Sequence, residues 1–107
     1  MFAMAVPGEL EHAVMGILWS RPDAVSVREV HDELARQRDL AYTTVMTVLD
    51  RLAKKGLATR HLEGRAWLYR PARSQTAELS ASVIATLQAL EPAARIEVLD
   101  TVNRAFR

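Results

Sequence analysis

Three threonines and three cations crowd one short stretch of this chain: Thr43, Thr44 and Thr47, then Arg51, Lys54 and Lys55. A threonine hydroxyl both donates and accepts hydrogen bonds, and its methyl packs against the methyl of thymine, so this residue type can read base edges. Lysine and arginine neutralise phosphates. The stretch reads as one helix from about Tyr42 to Lys55, ended by Gly56 as a left-handed terminator. Val45, Val48, Leu49 and Leu52 fall on one face, and the threonines and cations on the other. β-Branching lowers helix propensity, so either Thr43 or Thr44 caps the first turn, or the threonines serve what they touch.

The charge distribution points the same way. The formal net charge is only +1. Yet residues 51–73 hold Arg51, Lys54, Lys55, Arg60, Arg65, Arg70 and Arg73 against the single acid Glu63, while residues 1–24 hold Arg21 against Glu9, Glu11 and Asp23. A localised cationic segment is the footprint expected for a polyanion partner, although a merely solvated basic face would look alike.

Other chemistries find little support. The chain has no cysteine, which excludes disulfides, thiolate zinc sites and cysteine nucleophiles. His12, His31 and His61 are widely spaced, and no carboxylate–histidine cluster suggests a metal site. Glu29, Asp32 and Glu33 lie along a polar helix face with no nucleophile or phosphate loop to join them. The expectation is a protein that is not an enzyme, with no cofactor and no metal.

The elements that must position the threonines follow from periodicity. With 107 residues, half of them apolar and a quarter charged, the chain can bury one core and is not disordered. Leu10, Ala13, Val14, Ile17 and Leu18 form the stripe of a first helix over Glu9–Trp19, and Pro22 follows its end. Ser26-Val27-Arg28-Glu29 has capping-box form and opens a second helix with Val27, Val30 and Leu34 inward. After the third helix, Leu57–Leu62 and Arg65–Arg70 read as hairpin strands about a Glu63-Gly64 turn, with Pro71 stopping the sheet. Trp67 and Tyr69 share a face that is expected to cover the helices, and Trp19 reads as core as well. From Ser74 on, Leu79, Val83, Leu87 and Leu90 form one stripe. Ile96, Leu99, Val102 and Phe106 form another, in a helix that begins at Pro92.

This order predicts a mainly α fold with a small β-hairpin: a winged helix-turn-helix over 8–73, then a two-helix region over 74–107. The two C-terminal stripes exceed what a helix pair can bury internally, so a second copy of the chain is the expected cover, with folding back on the N-terminal domain as the other solution. In such a domain the third helix enters the major groove and the wing reaches backbone or minor groove.

The run from Ala41-Tyr42-Thr43-Thr44-Val45 through Leu49-Asp50-Arg51-Leu52-Ala53-Lys54-Lys55-Gly56-Leu57, followed by Gly64-Arg65-Ala66-Trp67-Leu68-Tyr69-Arg70-Pro71, resembles the BlaI/MecI penicillinase-repressor family. Gly8-Glu9-Leu10-Glu11 to Leu18-Trp19, and Ser26 to Val30, are similar to it too, so the resemblance covers about residues 8–73. It implies a dimeric repressor on a palindromic operator. Tyr42, Thr43, Thr44 and Thr47 would then lie at or near the bases. Ser26, Arg51 and Lys54 would hold phosphates, and Arg65 would act from the wing. It further implies induction by a signalling protease that leads to cleavage in the C-terminal region. The best-known members are cut at an Asn-Phe pair, whereas here Asn103 and Phe106 are not adjacent. The C-terminal region holds two helices where relatives often have three, and the cysteine-rich tail of the copper-responsive branch has no counterpart.

Two further functions compete with this one. A ligand-sensing winged-helix regulator would need an effector pocket, for which a compact chain leaves little room. A winged helix used only for protein contact would leave the basic segment and the threonines without purpose. Met1 to Gly8 lacks the basic start and apolar stretch of a signal peptide, and no apolar run nears the ~20 residues of a membrane span. A cytoplasmic protein without a membrane partner is expected.

Overall fold

The computed structural model describes residues 7–107, so the leader reading of Met1 to Gly8 lies almost wholly outside the described residues. The chain divides after Ser74 into two units. The first holds α1 (Pro7–Ser20), β1 (Val25–Ser26), α2 (Val27–Ala35), α3 (Tyr42–Lys54), β2 (Ala58–Glu63) and β3 (Ala66–Pro71). The second holds α4 (Gln75–Gln88) and α5 (Pro92–Ala105).

One core organises the first unit. It is built from Val14, Met15, Ile17 and Leu18 of α1, Val27, Val30 and Leu34 of α2, and Val45, Val48, Leu49 and Leu52 of α3, with Val25, Ala58 and Tyr69 from the strands. Trp19 packs at its margin, and its indole N–H donates to the Arg73 carbonyl at 3.0 Å.

Local chemistry sets the start of α2 and the end of α3. The Glu29 amide donates to Ser26 Oγ at 3.1 Å, and the Ser26 amide donates to Glu29 Oε1 at 2.9 Å, which completes the capping box. At the end of α3, Gly56 adopts φ +79°. The Leu57 amide then reaches the Leu52 carbonyl at 3.0 Å and the Gly56 amide reaches the Ala53 carbonyl at 3.1 Å, the paired bonds of a Schellman turn.

The wing departs from the sequence reading in three respects. It has three strands in the order β1-β3-β2, because Val25 and Ser26 pair antiparallel with Tyr69 and Leu68. A two-residue strand carries no period and reads as loop. The tight turn is Gly64-Arg65, one residue later than expected, with Glu63 paired to Ala66. A two-residue hairpin loop needs positive φ at its first position, and Gly64 at φ +64° supplies it without a Cβ penalty, whereas Glu63 would not. Pro71 is the last residue of β3, paired with Ala58. Finally, the shared face of the hairpin covers the helices only at its base. Tyr69 is 2% exposed, but Trp67, one step nearer the tip, is 43% exposed. The hairpin outruns the core, so Trp67 is not a core residue.

In the second unit, Pro92 occupies the first turn of α5 as the sequence suggests. Arg95 of α5 donates through Nε to the Leu87 carbonyl (3.1 Å) and through Nη2 to the Leu90 carbonyl (3.0 Å). It thereby satisfies the Leu90 carbonyl, adds a second donor to the Leu87 carbonyl, which already accepts from the Leu90 amide, and ties α5 to the end of α4. No side chain of α4 or α5 is buried.

Candidate nucleic-acid interface

The core residues of α3 define its outward face. Opposite Val45, Val48, Leu49 and Leu52 lie Thr43, Thr47 and Lys54, all exposed. Tyr42, Met46 and Asp50 flank that face on the wing side, and Thr44, Arg51 and Lys55 on the α1 side. The N-cap of α3 is Ala41, with no side-chain cap. Neither Thr43 nor Thr44 therefore caps the helix, which removes one of the two explanations for the threonines. Thr47 Oγ1 donates to the Thr43 carbonyl at 2.9 Å, which leaves its oxygen free only to accept. Tyr42 opens the helix with its ring edge-on to His31, centroids 5.8 Å apart. His31 Nε2 donates in turn to the Leu40 carbonyl at 2.8 Å, so the histidine braces the turn before α3.

Two of the expected phosphate contacts, Arg51 and Lys54, have partners inside the chain, as does Lys55. Arg51 lies 3.6 Å and Lys55 2.9 Å from the carboxylate of Glu11 on α1. Lys54 lies 3.0 Å from Asp50, one turn back. The Lys54 pair is exposed and contributes at most about 1 kcal/mol, so a phosphate can replace its carboxylate at little cost, whereas the Glu11 carboxylate is only 13% exposed and holds Arg51 and Lys55 more firmly. Ser26 Oγ accepts within the capping box and keeps its own proton to donate. Arg65, in the hairpin turn, is exposed and makes no ion pair among the described residues.

Between the start of α2, α3 and the wing runs an open groove of about 750 Å³. Ser26, Tyr42, Thr47 and Arg65 line it, and so do Arg28, Asp50, Arg60 and Trp67, which the sequence reading had not assembled. Arg60 Nη1 donates to the Tyr69 hydroxyl (3.2 Å) and to Asp50 (3.4 Å). Its guanidinium sits 4.4 Å from the centre of the Trp67 ring, within cation–π range. The hydrogen bond to Tyr69, more than the charge of Asp50, pushes the Arg60 pKa above its ordinary value. One signal in the sequence could have found this group. Strand alternation puts Ala58, Arg60 and Leu62 on one face with Trp67 and Tyr69, and Arg60 is directly opposite Tyr69.

The expected interface residues of the second unit lie at its surface. Leu79, Val83, Ile96, Leu99, Val102 and Phe106 are between 43% and 85% exposed, while Leu87 and Leu90 are half-buried.

Comparison with known proteins agrees with this geometry. The family model of the penicillinase repressors matches residues 7–103. The transcriptional regulator BlaI of Mycobacterium tuberculosis is 58% identical over 64 residues, which is 60% of this chain and 46% of that protein. The chain thus spans about half the length of the curated relative it matches. The solution structure of the DNA-binding domain of the repressor BlaI is 30% identical, covers 71% of this chain and 92% of its own, and superposes with a TM-score of 0.58. The monomeric form of Bacillus licheniformis BlaI in complex with the blaP half-operator is similar, at 30% identity, the same coverage and a TM-score of 0.55. With helix order, wing and family model in agreement, the chain belongs to the penicillinase repressor family, a family of transcriptional repressors and not of enzymes.

Proposed function

We propose that the chain is a sequence-specific DNA-binding transcriptional repressor that acts as a homodimer on an inverted-repeat operator. The observation that carries this reading is the surface of α3. An uncapped helix start, outward threonines and a lysine stand beside a groove lined by three arginines. Thr43, Thr44, Thr47 and Tyr42 meet base edges in the major groove, and Ser26, Arg51 and Lys54 meet phosphates. Arg65 acts from the turn of the wing. The half-operator bound by Bacillus licheniformis BlaI supports the same docking for this chain.

Dimerisation is proposed for α4 and α5, whose apolar stripes have no cover within their own unit. An isologous pair of such regions places two recognition helices on two half-sites, which explains an inverted repeat. Proteolytic induction has no anchor in an Asn-Phe pair here and is not included.

Binding-site selection tests the reading. Purified protein is incubated with a random duplex library at moderate salt, and bound DNA is recovered and sequenced. Enrichment of an inverted repeat is the expected result. Recovery of unselected sequences that vanish as salt rises would leave a non-specific polyanion binder. No recovery at any salt would favour a protein-contact module.

A further inference from the structure

We infer that the groove between α2, α3 and the wing seats one sugar–phosphate strand, and that Arg60 is its fixed phosphate-holding residue. This rests on the DNA-binding reading above and adds a residue that reading does not contain. In a duplex, the strand that separates a major groove from the adjacent minor groove passes between whatever elements occupy the two. Here those elements are α3 and the wing, and the space between them is lined by Arg28, Arg60 and Arg65 against one acid, Asp50.

Arg60 differs from the other cations of the region in how it is held. Tyr69, fixed because it is buried, takes a hydrogen bond from Nη1; Asp50 takes another; Trp67 stacks against the guanidinium. A guanidinium carries five N–H donors. Both contacts use Nη1, so Nε–H and the two Nη2–H groups have no acceptor among the described residues. They form one edge of the planar fork, the geometry that suits two oxygens of a phosphate. The side chain is half-exposed, so a strand in the groove can reach that edge. Asp50 does not cancel the charge, because its carboxylate is shared between Arg60 and Lys54 at 3.0 Å. An arginine ordered before it binds loses less freedom on binding than a free surface lysine.

The test uses the whole chain, a random-sequence duplex and the duplex recovered from library selection. On the random duplex, Arg60→Gln is expected to reduce the slope of log K against log salt by about 0.9, the release expected for one phosphate. On the selected duplex, each phosphate is replaced in turn by a neutral methylphosphonate. Wild type is expected to lose affinity at a phosphate where Arg60→Gln loses none, since the contact is already absent. Base preference should stay unchanged. A merely structural Arg60 would not move one phosphate position selectively. If Arg60→Gln does not fold, Arg60→Lys keeps the charge without the fork, and the penalty at that same phosphate should shrink. Wild-type binding with an unchanged slope and phosphate profile in the variants overturns the role of Arg60 and leaves the repressor reading standing. Absence of any DNA binding by wild type overturns both.

Discussion

Dimerisation through α4 and α5 can be given a magnitude. Leu79, Val83, Ile96, Leu99, Val102 and Phe106 are between 43% and 85% exposed in one copy. Complete burial of a large apolar side chain yields about 1.5–3 kcal/mol, so covering the exposed part of each yields roughly 1 kcal/mol. Twelve such side chains across a two-fold interface give about 12 kcal/mol, against an association cost of about 4–15 kcal/mol. With the smallest association cost the net is about 8 kcal/mol, a dissociation constant of about micromolar. Leu99→Asp removes its share from both copies at once and places two carboxylates in the apolar seam, at a cost of several kcal/mol. Because Leu99 is 43% exposed, the protomer itself should fold unchanged, which circular dichroism checks. Sedimentation equilibrium from micromolar to millimolar protein should show a wild-type dimer that weakens on dilution and a monomeric variant. A variant that dimerises as well as wild type would place the interface elsewhere, and a nanomolar wild-type dimer would refute the magnitude. On DNA, the variant should bind a single half-site like wild type and lose the advantage of a second half-site.

Two further outcomes are expected. Thr47→Ala should relax preference at one base position per half-site by about 1–3 kcal/mol, read by repeating library selection; uniform weakening across sequences would make Thr47 a backbone contact. Leu49→Ala, at a fully buried position of α3, should cost about 2–5 kcal/mol in denaturant unfolding, and a loss below about 1 kcal/mol would mean that this stripe does not seat the helix.

Where one residue type in one local pattern decides the structure, the sequence was legible. Ser26 and Glu29 make their capping box within four residues, and Gly56 ends α3 through its own backbone freedom. The stripe of α3 was read in full, since four apolar side chains at helical spacing admit one inward face. The hairpin turn was missed by a single residue. Either register keeps Ala58 and Tyr69 on the buried face, so hydrophobic alternation does not choose between them, and the positive φ that Gly64 supplies at the first turn position does. Strand β1 was illegible, because two residues pair only once α2 has been placed beside β3. Trp67 was misjudged since alternation tells which face a residue occupies and not how far the core extends beneath it.

The cationic footprint shows the same division between composition and fold. Counted along the chain, residues 51–73 carry seven bases and one acid. Folding brings in acids from outside the segment: Glu11 reaches Arg51 and Lys55, and Asp50 reaches Lys54 and Arg60. At least four of the seven bases thus begin paired, and a count of charges overstates the field that DNA would meet. The pairs are not equivalent, however. That of Lys54 is a surface contact that a phosphate can displace at a cost of at most about 1 kcal/mol, and those of Arg51 and Lys55 share the largely buried Glu11 carboxylate through cations that are themselves about half exposed. Arg60 is held by a buried hydroxyl and an aromatic face besides its carboxylate, and it keeps unused donors while it stays in place. The same composition therefore supplies two kinds of cation, an exchangeable one on the helix at Lys54 and an ordered one in the groove at Arg60. Affinity and its salt dependence would draw on both, and of these cations the ordered arginine is the one whose donors keep a fixed place in the groove.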